Sequence, residues 1–188
     1  MKKSRARFLR GGVSLRRFLT TFLLPLIVLL GFIYLLVVSY AVYTVVHPTI
    51  LAENVDPSAY FLKFQDFTYK TGDGAELSAW YIPSKPGSPL ILLLPGYGEN
   101  RTRLLNLADK LHAADFSIVL PLLRGHDRKA EVATTMGWKE SEDLKVLLDE
   151  LRGRKYLESQ KLGAWGMNIS AFALLQAARQ GISFRALV

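Results

Sequence analysis

An α/β domain with a mostly parallel sheet and a leading β-hairpin, carried behind one transmembrane helix, is the fold class this sequence predicts. Three observations carry it. Phe18 to Ala52 holds no charged residue, with His47 counted as neutral. Beyond about Val55 short strand-like runs alternate with amphipathic helical patterns. Among those runs Leu90-Ile91-Leu92-Leu93-Leu94 is unbroken and apolar, the mark of a strand buried on both faces of a parallel sheet.

The first element follows from charge and length. The 188 residues carry 24 Lys and Arg against 16 Asp and Glu, a net charge of +8. Residues 1–17 hold seven of the basic residues and no acid, so the rest of the chain is close to neutral. That excludes a globally basic, nucleic-acid-binding domain. The most apolar stretch, Phe22 to Val46, makes roughly 37 Å of helix, enough to cross a bilayer core of about 30 Å with some tilt. Pro25 lies near its start, and Tyr40 and Tyr43 near its far end. Basic residues before the span and none just after predict a cytoplasmic N-terminus and a C-terminal domain outside the cell membrane. A cleaved signal peptide is the rival, with Ser39-Tyr40-Ala41 as its small-x-small site, but the apolar run exceeds such an h-region. The organisation expected is therefore a basic cytoplasmic segment (1–17), a single-pass signal-anchor helix (18–46), a linker (47–63) and an α/β domain (64–188). The lipid bilayer is its first partner.

The domain reads element by element. Phe64–Tyr69 and Glu76–Ile82 flank the turn Thr71-Gly72-Asp73-Gly74 and make a hairpin. Leu90–Leu94 is the buried strand. Leu104, Leu105, Leu107, Ala108 and Leu111 line one face of a helix at about 102–114. Ser117–Leu120 is a strand, and Leu144, Leu147, Leu148 and Leu151 mark a helix at about 141–151. Lys161–Trp165 and Ile169–Ala178 repeat the strand–helix cycle, and Phe184–Val188 opens a further strand.

With no cysteine, disulfides, thiolate metal sites and a cysteine nucleophile are excluded. No Walker A, HExxH or paired-His spacing occurs, so neither cofactor nor metal is expected. Ligands of such sheets bind at the carboxyl ends of strands. Three loops lie there: Pro95-Gly96-Tyr97-Gly98-Glu99-Asn100-Arg101, Pro121-Leu122-Leu123-Arg124-Gly125-His126-Asp127-Arg128, and Gly166-Met167-Asn168-Ile169-Ser170. The first fails as a dinucleotide fingerprint because Arg101 stands at its third glycine. The sequons Asn100-Arg101-Thr102 and Asn168-Ile169-Ser170 fall in loops at the sheet top and read as chance. Arg124, Arg128 and Lys129 read as a solvated loop, His126 as a loop residue bonded locally, and His112 as exposed on its helix.

The PGYG loop, the RGH loop and the G-x-N-x-S turn, in this order and spacing, resemble the α/β-hydrolase superfamily. The TGDG hairpin and the GWKESEDLKVLLDEL helix resemble its membrane-anchored bacterial serine hydrolases, of the prolyl-oligopeptidase and BEM46-like groups. The resemblance covers about Phe64 to Val188 and implies an ester or acyl hydrolase class with a small acyl or ester ligand. It implies an oxyanion hole of two backbone N–H groups, those of Tyr97 and Ile169. It implies a nucleophile elbow over Gly166 to Ser170.

This chain departs from the family at the nucleophile. Asn168 stands where G-x-S-x-G has Ser, and Ser170 where it has the second Gly. An amide cannot act as an activated hydroxyl does, whereas Asn tolerates the positive φ an elbow needs. A shift of register to Ser170 would require Gly at 168 and 172, which hold Asn168 and Phe172. His47, His112 and His126 all precede Asn168, and the 20 residues after it contain no Asp, Glu or His. Leu122 also stands where relatives carry Asp, and Asp127 where they carry Gly. The expectation is an inactive, truncated N-terminal half of a hydrolase fold, or on the same fold a non-catalytic, membrane-tethered binding module. A decayed gene product is the third reading.

Overall fold

The computed structural model describes residues 15–50, 52–127, 130, 132–157 and 161–188. Two compact units divide the chain, residues 1–43 and residues 44–188.

The described residues of the first unit are helical. Helix α1, Leu15–Val46, begins inside the basic segment and is π-helical over Leu19–Leu23. Its Leu, Ile, Val and Phe side chains are exposed all round, and it is long and apolar enough to cross a membrane. Pro25 is the second residue after the helix changes from π to α, where an interrupted hydrogen-bond ladder costs least.

The second unit is a six-stranded mixed sheet with helices on both faces. Its strands are β1 (Gln65–Lys70), β2 (Glu76–Ile82), β3 (Leu90–Leu94), β4 (Ser117–Pro121), β5 (Leu162–Gly166) and β6 (Ala186–Leu187). Their spatial order is β1-β2-β4-β3-β5-β6. β1 and β2 form the antiparallel hairpin, β2 pairs antiparallel with β4, and β3 to β6 run parallel. The helices are α2 (Leu105–Ala113), α3 (Trp138–Gly153) and α4 (Ile169–Arg179).

Side-chain alternation along β3 explains why the run is apolar throughout. Leu90, Leu92 and Leu94 point into a core with Leu144, Leu147, Leu148 and Leu151 of α3 and Ala173, Leu174 and Ala177 of α4. Ile91 and Leu93 point the other way, against Leu105 and Ala108 of α2 and Ile118 and Leu120 of β4. Both faces of the central strand are thus covered.

Two boundaries differ from the periodicity. The first helix of the sheet domain opens as a 3-10 turn over Arg101–Leu104, and α3 starts at Trp138, three residues early. The reason for the second is a cap. The Glu140 carboxylate accepts from the N–H of Gly137 (2.9 Å) and of Thr135 (2.9 Å), and from the hydroxyls of Thr134 and Thr135 (2.6 Å each). Burial pushes the Glu140 carboxyl up, but these hydrogen bonds outweigh it and hold it below its ordinary value.

Candidate functional site

The strand order makes a crevice before any side chain is considered. The chain leaves β3 for β4 on one side and returns past it to β5 on the other. Loops diverging in this way from neighbouring parallel strands open a cleft at their carboxyl ends. Leu94 of β3 pairs in register with Gly166 of β5, so Pro95–Tyr97 and Met167–Ile169 emerge side by side.

The elbow is built by packing. Asn168 has φ 58° and ψ −121°, the first central position of a II′-type turn and strained for any residue but Gly. Gly166 is required: a Cβ there would come within 2.8 Å of Leu174 Cδ1 and 3.0 Å of Ser170 Cβ. Ser170 is buried and its hydroxyl donates to the Pro95 carbonyl, tying the elbow to the loop after β3. The Asn168 amide reaches over that loop, its Nδ2 lying 3.4 Å from where a Cβ on Gly96 would be. Ile169 is the first residue of α4, so its N–H has no partner within the helix and lies at the positive end of the helix dipole.

The loop carrying Tyr97 is braced. The Glu99 N–H donates to the Gly96 carbonyl (3.1 Å), and the Gly96 N–H to the Glu99 carboxylate (3.3 Å). Gly98, at φ +73°, donates its N–H to His126 Nε2 at 3.0 Å. The Tyr97 ring meets His126 edge to face, and its hydroxyl donates to the Val45 carbonyl at 2.8 Å.

His126 is 1% exposed. Its Nδ1 lies 3.1 Å from the Arg124 carbonyl, an acceptor, while Nε2 accepts from Gly98. That pair of partners selects the neutral ring with its proton on Nδ1. Burial pushes the imidazole below its ordinary value, against the opposing pull of the Arg124 carbonyl. A folded-state pKa below the unfolded one means that the unfolded chain binds the proton first. The stabilisation is therefore whole above about pH 6.5 and is lost as pH falls toward the lowered folded value. Urea unfolding between pH 8 and pH 5 should show stability falling on the acid side, and His126→Gln should flatten that slope. An equal slope in the variant would refute this.

Arg124 corrects the sequence reading. It is not part of a solvated loop but 3% exposed, forked onto Asp143 with both contacts at 2.7 Å and onto Asp73 at 3.0 and 3.3 Å. Lys139 reaches the same Asp73 at 3.0 Å. The RGH loop, the hairpin turn and α3 are thereby held together. Asp73 is drawn well below the usual carboxylate range by its bonds from Arg124, Thr71 and Lys139. Arg128 and Lys129 lie outside the described residues. His112 is likewise half-buried rather than exposed, with Nε2 3.0 Å from the Pro83 carbonyl. Leu122 is buried, and Asp127 accepts from the Ser78 N–H and hydroxyl, both at 3.0 Å.

Sequence reasoning did not find Arg101. It is buried, ion-paired with Glu53 (2.9 Å) and stacked 3.7 Å over the Trp80 ring. Together with Ser78, Asn100, Leu122, His126 and Asp127 it lines a cavity of about 180 Å³. Nothing in the local pattern around Arg101 marks a partner 48 residues earlier. Among the described residues no group of three or more His, Cys, Asp or Glu side chains is placed to hold a metal ion.

No family model matches the sequence, and no curated protein matches it. Solved structures do. Two crystal forms of the Pyrococcus furiosus esterase Pf2001 superpose with TM-scores of 0.66 and 0.67 at 21% and 22% identity, over 76% of this chain. An α/β hydrolase from Novosphingobium aromaticivorans superposes with TM-score 0.54 at 23% identity over 67% of this chain, and a carboxyl esterase from Bacillus coagulans with 0.55 at 18% over 67%. The chain covers 56% and 54% of the two Pyrococcus structures and 43% of each of the others. The second unit has the fold of the α/β hydrolases.

Proposed function

We propose that this chain is a membrane-anchored protein of α/β-hydrolase fold whose elbow receives an acyl or ester group without cleaving it. The observation that carries this is Asn168: an amide at the strained apex of a strand-to-helix turn, where an activated hydroxyl would have to stand. Around it the arrangement keeps what binds an oxygen. The Ile169 N–H opens α4, and the Tyr97 N–H sits on a loop that Glu99 and His126 hold in place. The esterases among the fold neighbours supply the ligand class. Helix α1 supplies the anchor, with the seven basic residues of 1–17 on the cytoplasmic side and the sheet domain outside. The membrane-anchored bacterial groups named above remain the resemblance that fits an anchor joined to this fold.

The experiment is active-site labelling. A fluorophosphonate probe should leave the full chain unmodified, because Ser170 is buried and bonded to Pro95. Asn168→Ser in the same 188 residues should leave it unmodified too, because no Asp, Glu or His follows position 168 to activate the new hydroxyl. A short acyl ester added to isotope-labelled, probe-free protein should shift the Tyr97 and Ile169 amide resonances while remaining intact. Covalent modification or ester cleavage would overturn the absence of turnover. Unmoved amides would overturn the binding role.

A further inference from the structure

Around the elbow the second unit exposes side chains that a water-facing surface does not favour. Met136 and Trp138 at the start of α3, Met167 one residue before Asn168, and Phe172 and Leu175 one turn apart on α4 are all exposed, Trp138 by 57%. They are neighbours through Gly137, where a Cβ would lie 2.5 Å from Phe172 Cδ1. A single exposed apolar residue needs no explanation, but a cluster of five including Trp does.

The same loop is tied to the point where the apolar helix ends. Val46 is the last residue of α1, and its carbonyl accepts from the Thr134 N–H at 3.0 Å. Trp138 is four residues beyond Thr134, within about 14 Å of it even if the chain were fully extended. Tyr97 holds the adjacent Val45 carbonyl. Trp is the side chain that settles best at the boundary of headgroups and acyl chains, and Met, Phe and Leu fill the acyl side of it.

We infer that the Met136–Trp138–Met167–Phe172–Leu175 surface rests on the lipid bilayer that α1 crosses, so that the elbow opens at the membrane surface. This rests on the membrane anchoring proposed above, and not on what Asn168 binds.

The chain provides its own reporter. Its three tryptophans all lie in the second unit, Trp80 buried and Trp165 half-buried, leaving Trp138 as the exposed one. The full chain is reconstituted into vesicles of phosphatidylcholine and phosphatidylglycerol, with and without bromine on the acyl chains. Bromolipid should quench the Trp138 component roughly twofold, as expected for a ring seated at the headgroup–acyl boundary. Trp138→Phe should remove most of that quenching while vesicle flotation is unchanged. Flotation with Trp138 unquenched by bromolipid and open to acrylamide would overturn the inference. So would shielding that grows with protein density in the vesicle, which would assign the surface to a second copy. Failure to float at all would instead sink the anchoring on which the inference rests. Quenching and fluorophosphonate labelling are independent readouts, so the two readings fail separately.

Discussion

Arg124→Ala should be the most damaging single substitution outside the apolar core, lowering stability by about 3–5 kcal/mol. The guanidinium is inaccessible and forks onto Asp143, itself 4% exposed. Its removal strands a buried carboxylate. Burial already pushes the Asp143 carboxyl above its ordinary value even with Arg124 in place, so the variant must either protonate it or open the loop to water. In a chain of this size the loss corresponds to a Tm lower by roughly 10 °C. Arg124→Lys should recover little, since one ammonium cannot replace a planar fork with two partners. Arg124→Met combined with Asp143→Leu should recover most of it, because what is expensive is the unpaired charge and not the absence of the pair. Thermal melts of the four proteins test this. A single variant within about 1 kcal/mol of the parent would show that the pair contributes no more than a surface bridge.

Gly125→Ala, at the neighbouring position, should cost roughly 3 kcal/mol or more. Gly125 has φ +74°, and a Cβ there would meet Thr134 N at 2.6 Å and Thr134 Cβ at 2.9 Å. The obstacle is backbone and cannot rotate away. Thr134 is held by the bond from its N–H to Val46 and by the bond from its hydroxyl to Glu140. Gly98→Ala is the internal comparison. Its φ is +73°, nearly the same, but nothing lies within 4 Å of the added atom, so only the conformational strain remains, about 1 kcal/mol. Equal losses in the two variants, measured by chemical unfolding, would mean that strain and not the Thr134 contact dominates.

The contrast between these glycines shows which parts of the molecule are readable without coordinates. R-G-H in a loop after a strand marks a turn, and P-G-Y-G marks another. Neither pattern says that one glycine faces a backbone and the other faces open space. The strands were legible because their signal is local. Leu77, Ala79 and Tyr81 of β2 mark the face that joins the core of α3 and α4, Trp80 and Ile82 are buried on the opposite face, and the unbroken run of β3 marks a strand covered on both. The helix over 169–178 was legible for the same reason, and α3 was legible except for its first turn, where the cap rather than the apolar stripe sets the start.

The candidate site divides along the same line. The strand-to-helix position of Asn168, its tolerance of positive φ and the small residues beside it follow from neighbours in sequence. Arg124 was read as solvated because a charged residue in a loop usually is. Its partners Asp73 and Asp143 stand 51 and 19 residues away, and no local pattern announces them. Glu140 did carry a signal, an acid three residues after a glycine and just before the apolar stripe, which is the spacing of a capping box.

By itself, then, the sequence determined a long apolar helix preceded by basic residues, the α/β succession of the domain, and an amide at the apex of the turn after β5. Tertiary structure alone decided the order β1-β2-β4-β3-β5-β6, which opens the crevice between the loops of β3 and β5. It decided too that His126 is an acceptor for Gly98 and that Arg124 is an internal clamp. The physical reason is range. Periodicity and turn chemistry are fixed within a few residues by the pleat, the helical repeat and φ/ψ sterics. Hydrogen-bond partners and charge pairs depend on which distant strand lies alongside, and only burial of both faces of the sheet settles that.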